Sequence, residues 1–167
     1  FLDAARTLAR SGVDFLALCS NTSHQYASRL EVEVGLPLVH IADATADEIK
    51  RHGFEVVGLL GTSRTMEDSF LKDRLSERHG LHVLTPSAAD RCEIDRYIFD
   101  EMVRGTFSDD ARRQVGRMCL ELSNAGAQAI ILGCTELPVL MRNFKSDVPL
   151  LDSTSLHAKA IVDSALT

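Results

Sequence analysis

Short apolar runs recur along the chain, and between them lie longer stretches in which apolar positions return every three or four residues. Short β-branched or leucine-rich runs fit strands buried on both faces, whereas the three-to-four spacing fits helices with one dry and one wet face. The pattern predicts strands over residues 14–18, 38–41, 55–60, 81–84, 129–132 and 148–151. It predicts helices over 2–10, 23–34, 44–51, 66–78, 89–104, 109–124, 137–143 and 155–166. Strands that alternate with helices imply a parallel sheet covered on both faces. Ligands of such sheets sit outside the carboxyl ends of the strands, so the residues just after each apolar run are the candidates for chemistry.

The pattern also repeats. "GVDFLALCSNT" from Gly12 overlays "GAQAIILGCTE" from Gly126, with glycine on glycine, Leu18 on Leu132 and Ser20 on Cys134. Further on, "GLPLVHIADATADEI" and "DVPLLDSTSLHAKAI" follow at nearly the same distance, with Pro37 and Pro149 each opening a short strand. This is the mark of a duplicated strand-helix-strand unit. The first-copy counterpart of the run near residue 55 would fall before Phe1, so the chain is expected to be a fragment that lacks its beginning.

Composition narrows the classes. The chain has 167 residues, 45% of them apolar, enough for one substantial core or for parts of two. Its apolar runs are too short to span a bilayer, and no charged-then-apolar leader with a cleavage site is read at its start. A formal charge of −6, with both signs mixed along the chain, argues against a nucleic-acid surface. The four cysteines, Cys19, Cys92, Cys119 and Cys134, stand singly, so reduced thiols and a cytoplasmic location are expected. No metal-ligand spacing and no glycine-rich phosphate loop is present.

The two repeated turns hold the candidate chemistry. Ser20-Asn21-Thr22 and Cys134-Thr135-Glu136 each follow an apolar run and precede a helix, whose free N–H groups and positive end favour a carboxylate. Two such turns facing each other would flank one small anion. That arrangement suits removing a proton from one face of a carbon and returning one to the other.

The stretches "NTSH", "GLLGTSRTM", "LGCTELP" and "PLLDSTSLHAKA" resemble the aspartate/glutamate racemase superfamily, most closely its aspartate racemase and broad-specificity amino-acid racemase branch. The resemblance covers essentially the whole chain. It implies two similar doubly wound α/β lobes related by a pseudo-twofold axis, with residues 1–43 and 149–167 forming what remains of an incomplete first lobe and 44–148 the second. It implies 1,1-proton transfer on an amino acid or related dicarboxylate without a cofactor or metal, in a homodimer that needs no nucleic acid or membrane. One thiolate takes the α-proton while a second thiol protonates the opposite face, and a helix N-terminus can lower a thiol pKa from about 8.5 toward neutrality.

The chain departs from that pattern at one point. Where the family has its first thiol, this sequence has Ser20, and Cys19 stands one residue earlier. Cys19 overlays Gly133, and successive strand side chains point to opposite faces. Ser20 is therefore assigned the acid/base position opposite Cys134, and Cys19 is read as a buried packing residue with at most an auxiliary part. A hydroxyl is a poorer base than a thiolate, so the chain can be a lopsided racemase in which Ser20 works through water or His24. It can equally be a single-cysteine relative, an arylmalonate-type decarboxylase or maleate-type cis-trans isomerase, or a non-catalytic amino-acid-binding module.

Around this pair, Asn21, Thr22, Thr135, Glu136, Thr62 and Thr65 are candidate substrate contacts. Each also fits an ordinary helix cap or first-turn position. Arg104 suits a distal carboxylate through its planar fork, and suits a helix C-terminus as well. His24 and His157 follow the two repeated strands and can tune a thiol or pack in the core, His157 with Asp152 as its partner. Cys92 and Cys119 fall in helical stretches and are read as core or surface residues.

Overall fold

Apolar runs and amphipathic stretches alternate in the structure as in the sequence, with short strands and irregular helix ends. Residues 1–166 are described by a computed structural model of the chain; Thr167, the last residue assigned to the first lobe, lies outside them. Helix α1 (Leu2–Arg10) leads into strand β1 (Leu16–Ala17), a 3-10 turn over Thr22–Tyr26 and helix α2 (Ala27–Val34). Gly35, left-handed at φ 73°, ends α2, and Pro37 then leads into β2 (Leu38–Val39). β1 and β2 pair in parallel, Leu16 opposite Leu38. Leu16, Leu18, Leu30 and Leu38 close a small core beneath them.

The larger sheet is built from β3 (Val56–Leu60), β4 (His82–Leu84), β5 (Ala129–Leu132) and β6 (Leu150–Asp152), all parallel, in the order β4-β3-β5-β6. The central strands read VVGLL and AIIL and are almost entirely buried, as a parallel sheet covered on both faces requires. Helix α3 (Ile41–Arg51) precedes β3. Its first N–H groups are capped by the imidazole of His40, whose Nδ1 accepts from the Ala42 N–H at 3.1 Å. After β3 come the short helices α4 (Ser63–Glu67) and α5 (Ser69–Asp73) and a π-turn over Arg74–Arg78. After β4 comes α6 (Ala88–Arg96), which runs on through a π-turn over Tyr97–Glu101 and a 3-10 turn over Met102–Arg104. Gly105, at φ 80°, stops it. Helix α7 (Asp109–Asn124) starts on a Ser108 cap with Asp109 and Asp110 in its first turn, where the helix dipole favours them. Helix α8 (Leu137–Leu140) follows β5, and α9 (Ser153–Ala165) follows β6.

Three expectations change. The helix expected over 66–78 is broken at Asp68, which is extended (φ −71°, ψ 150°), because the Thr62 cap starts a separate short helix ahead of it. The boundary set between residues 43 and 44 falls inside α3, one continuous helix whose Ile41, Ala42, Ala46 and Ile49 pack into the larger core. The chain after residue 149 does not begin in the smaller sheet either. Leu150 pairs with Ile130, so β6 extends the four-stranded sheet, and α9 is the element that returns to pack on β2 and α3.

Two glycines permit the close approach of β3 and β5 at their carboxyl ends. A Cβ on Gly133 would lie 3.0 Å from the Leu60 carbonyl oxygen, and one on Gly61 would lie 3.0 Å from that of Gly133. The Gly133 N–H donates to the Leu60 carbonyl at 2.6 Å, which ties the two strand ends together where the chain turns out toward solvent.

Candidate active site

The ends of three parallel strands open into one cleft of about 180 Å³. The turn after β1 supplies Cys19, Ser20, Asn21 and Thr22, the turn after β3 and the start of α4 supply Thr62 and Thr65, and the turn after β5 supplies Gly133, Cys134, Thr135 and Glu136. The two repeated turns thus reach the same space from different sheets, Ser20 from the smaller and Cys134 from the larger. A second, smaller recess of about 140 Å³ lies behind the Ser20 turn and is lined by Cys19, Ser20, Asn21, Ile41, Thr135 and His157 among others.

Cys134 is half-buried, and its thiol donates to Glu136 Oε2 at 2.9 Å. Burial first, and then this carboxylate, push the thiol up to about 12, so it is a protonated group at rest rather than the lowered thiol expected from the helix end alone. Glu136 itself stays ionised. Burial works against its charge, but hydrogen bonds from Cys134 and from Thr135 Oγ1, at 2.8 Å, outweigh it and hold its pKa below the usual glutamate value.

Ser20 is exposed to the cleft, with its Oγ 3.1 Å from Thr22 Oγ1. The backbone around it is fixed from below. Ser23 Oγ donates to the Ser20 carbonyl at 2.7 Å, and so does His24 Nδ1 at 2.8 Å. His24 Nε2 in turn accepts the Ile41 N–H at 3.2 Å. With both ring nitrogens committed and only 2% exposure, His24 cannot relay a proton to the Ser20 hydroxyl. It positions the turn. Its ring stands edge-on to His40 and His157, with centroids at 4.5 and 5.2 Å. Burial holds His24 down to about 4 and His40 to about 3, and lowers His157 as well, so all three are neutral.

Asn21, 5% exposed, joins the two turns. Its Nδ2 donates to Ser153 Oγ at 3.4 Å, and Ser153 Oγ donates to the Leu132 carbonyl at 2.8 Å, the last residue of β5. Among the described residues, Asn21 Oδ1 has no hydrogen-bond partner although it is buried. An acceptor so placed at the edge of both cavities is suited to a donor on a bound ligand.

Of the residues singled out from the sequence, Ser20, Asn21, Thr22, Thr62, Thr65, Cys134, Thr135 and Glu136 meet in this cleft. Thr62 also caps α4, accepting from the Thr65 N–H at 3.3 Å. Cys19, expected to be buried, is exposed and lines the cleft, because β1 ends at Ala17 and the strand pleat does not extend to it. Arg104 is exposed and does not line the cleft; it ends the 3-10 turn before Gly105. His157 lines the recess, but its partner is the Val39 carbonyl, 2.7 Å from Nε2, because Asp152 is occupied in capping α9 through the N–H groups of Thr154 and Ser155. Ile98, Phe99 and Val103, which form the cleft's apolar wall, were not singled out, nor were Ser153 and His40. Among the described residues no three His, Cys, Asp or Glu side chains converge as metal ligands would.

A family model for Asp/Glu/hydantoin racemases matches residues 1–161. The chain is 26% identical over 165 residues to the broad specificity amino-acid racemase RacX of Bacillus subtilis, covering 99% of this chain and 70% of that protein. It spans 62% of the length of two Aquifex glutamate racemases. Among solved structures, a candidate Asp/Glu racemase from Yersinia pestis superposes with a TM-score of 0.95 at 42% identity, covering 99% of this chain and 72% of that one. An aspartate racemase homologue from Pyrococcus horikoshii superposes at 0.88 and 33% identity, covering 99% and 73%.

Proposed function

Because the chain belongs to the Asp/Glu/hydantoin racemase family, we propose that the protein is a cofactor-independent amino-acid racemase of the aspartate/glutamate type, in which Cys134 and Ser20 serve opposite faces of the substrate's α-carbon. One observation carries this: two proton-bearing side chains, on equivalent turns of two different sheets, line a single cleft sized for a small molecule.

The chemistry follows from the protonation states. An α-proton is a weak acid, so the site must stabilise the carbanion with N–H and hydroxyl donors around the α-carboxylate. Thr22, Thr62, Thr65 and Thr135 surround the cleft with hydroxyls, and Asn21 Oδ1 suits the α-ammonium group. Cys134 rests as a thiol, which is the form that donates a proton to its face. For the reverse direction the thiol proton passes to Glu136, already its hydrogen-bond acceptor, and the thiolate takes the α-proton. On the other face the Ser20 hydroxyl, or a water it holds, supplies the proton and is left as alkoxide or hydroxide, which solvent reprotonates; in the opposite direction that alkoxide or hydroxide, formed by loss of a proton to solvent, takes the α-proton. A hydroxyl does this less well than a thiol, so turnover is slowed in both directions; kcat and KM differ between the enantiomers only in proportion, because an equilibrium constant of one keeps kcat/KM equal.

The smaller sheet with its helices then stands for the remainder of one lobe, and the four-stranded sheet, with β6 included, for the other. A homodimeric assembly and a cytoplasmic location belong to the same proposal, the former open to light scattering.

Incubation of the intact protein with L- and D-amino acids in heavy water tests the assignment. Deuterium uptake with inversion is the expected outcome. Uptake by one enantiomer without inversion leaves one competent carrier. Binding without exchange makes the protein an amino-acid-binding module, and carbon dioxide release from a malonate-type diacid makes it a decarboxylase.

A further inference from the structure

Thr62 and Thr65 reach the cleft from the turn after β3 and the first turn of α4. A helix of five residues is marginal on its own, so the place of these two hydroxyls depends on what holds the turn. Within it, Thr62 Oγ1 accepts the Thr65 N–H at 3.3 Å and stands 3.1 Å from Thr65 Oγ1. Three further bonds tie the turn and α4 to α6. The Ser63 N–H donates to Asp95 Oδ1 at 2.8 Å, Ser63 Oγ donates to the Arg91 carbonyl at 3.3 Å, and Arg91 Nε donates to Glu67 at 2.6 Å.

Of these three, the Asp95 bond bears most directly on the hydroxyls. The Arg91 pair ends on an exposed carboxylate, where water competes for both charges. The Ser63 hydroxyl bond is long. Asp95 is half-buried and offers a carboxylate to a backbone N–H, a charge-assisted bond of the stronger kind. The N–H it holds belongs to the peptide that joins Thr62 to Ser63, so fixing it fixes the residue that caps α4. Asp95 also sits at the end of α6, just before Ile98 and Phe99, which line the cleft although Asp95 does not. That stretch is firmly held. Tyr97 donates its hydroxyl to Asp110, and Tyr97, Ile98 and Met102 are buried in the larger core. One anchored element therefore carries the apolar wall and, through a single carboxylate, the hydroxyl-bearing turn beside it.

We propose that Asp95 is a positioning residue of the active site, which fixes the Thr62 and Thr65 hydroxyls by way of the Ser63 N–H. It touches no substrate. Without it the turn after β3 loses its register with α6, and hydroxyls held less closely stabilise less of the charge that grows on the substrate as the α-proton leaves. The role rests on the racemase reading of the cleft, with the two threonines among its donors.

The test compares intact protein with Asp95→Ala, Asp95→Asn, Ser63→Pro and the double variant Asp95→Ala/Ser63→Pro. Racemisation kinetics and α-deuterium uptake are measured on aspartate, glutamate and methionine, with urea unfolding as the check on the fold. Asp95→Ala should lower kcat about tenfold while KM changes less than about threefold, since the lost interaction belongs to the transition state. Asp95→Asn keeps an oxygen for the Ser63 N–H and should stay within about threefold of the intact protein. Ser63→Pro deletes the same bond from the donor side, at the first position of α4, where proline suits a helix and the extended Thr62 precedes it. It should reproduce the loss, and the double variant should lose no more than either single one, because both act through one bond. Unchanged kcat in Asp95→Ala or Ser63→Pro, an asparagine no better than alanine, or losses that multiply in the double variant each overturn the positioning role and leave the racemase reading intact. Absence of deuterium uptake by the intact protein with all three amino acids overturns that reading, and this role with it.

Discussion

His24 holds Ser20 by the backbone and not by the hydroxyl. The imidazole accepts the Ile41 N–H on Nε2 and donates from Nδ1 to the Ser20 carbonyl, so one ring clamps the turn after β1 to the start of α3. The clamp requires a neutral ring, since protonation of Nε2 would turn an acceptor into a second donor facing an N–H.

The histidine cluster makes stability depend on pH. His24 and His40 titrate near 6.5 in an unfolded chain and near 4 and 3 in the fold. Folded pKa values below unfolded ones mean that the full contribution is present above pH about 6.5 and is lost as pH falls, at about 1.4 kcal/mol per pH unit for each proton taken up. The loss levels off near pH 4 for His24 and near pH 3 for His40. His157, Arg74 and Asp43 face the same cluster, and the Asp43 carboxylate favours protonation of His40 while the Arg74 guanidinium and the neighbouring imidazoles oppose it. Urea unfolding between pH 7 and pH 4 should show this slope, and His40→Asn, which keeps a side-chain acceptor at the α3 cap, should flatten it.

Ser20 should respond to substitution in opposite directions. Ser20→Ala removes the carrier on one face and should reduce inversion by about 100-fold or more while Cys134-side exchange survives. Ser20→Cys places a group with an unperturbed pKa of about 8.5 at the same point and should raise inversion by about tenfold. Polarimetry alongside mass-detected deuterium uptake separates the two.

Glu136 should control the ionisation of Cys134. The hydrogen bond and the charge of its carboxylate both keep the thiol protonated, after burial. Glu136→Gln removes the charge, so the thiolate should form at lower pH and alkylation by iodoacetamide should speed up by about tenfold at pH 8, each pKa unit being a factor of ten. Site-resolved mass spectrometry distinguishes Cys134 from the exposed Cys19 and Cys92.

Ser153→Ala should loosen the link between the two turns. It strands Asn21 Nδ2, a buried donor, and removes the hydroxyl from the Leu132 carbonyl. The expected cost is about 1–3 kcal/mol in chemical denaturation, with a rise in KM exceeding any fall in kcat because Asn21 loses its orientation.

The sequence carried the strand-end chemistry clearly and the helical wall poorly, for physical reasons. VVGLL and AIIL are short apolar runs between helical stretches, the pattern of strands buried in a parallel sheet, and the polar residues after them emerge at its carboxyl edge. Arg104 was singled out for its guanidinium, which suits a carboxylate, not for its position on the helix. The π-turn over Tyr97–Glu101 and the 3-10 turn after it break the regular helical period, and Val103, not Arg104, lines the cleft. No side-chain pattern announces such a turn. His40 was missed because an imidazole is not among the usual cap residues, and Ser153 because a serine after a strand reads the same whether it caps a helix or braces a neighbour. The exposure of Cys19 followed from a strand of only two residues, shorter than its apolar run suggests.

The departure from regular helix near Tyr97 also bears on how this scaffold can diverge. The stretch that faces the ligand space is already out of step with the helix that feeds it, while its anchors sit in the core and its end is set by a left-handed glycine. Adding or deleting a single residue between those fixed points would exchange which side chains meet a visitor without disturbing either sheet. Preference can thus be retuned by changing a length, leaving the proton-handling turns untouched.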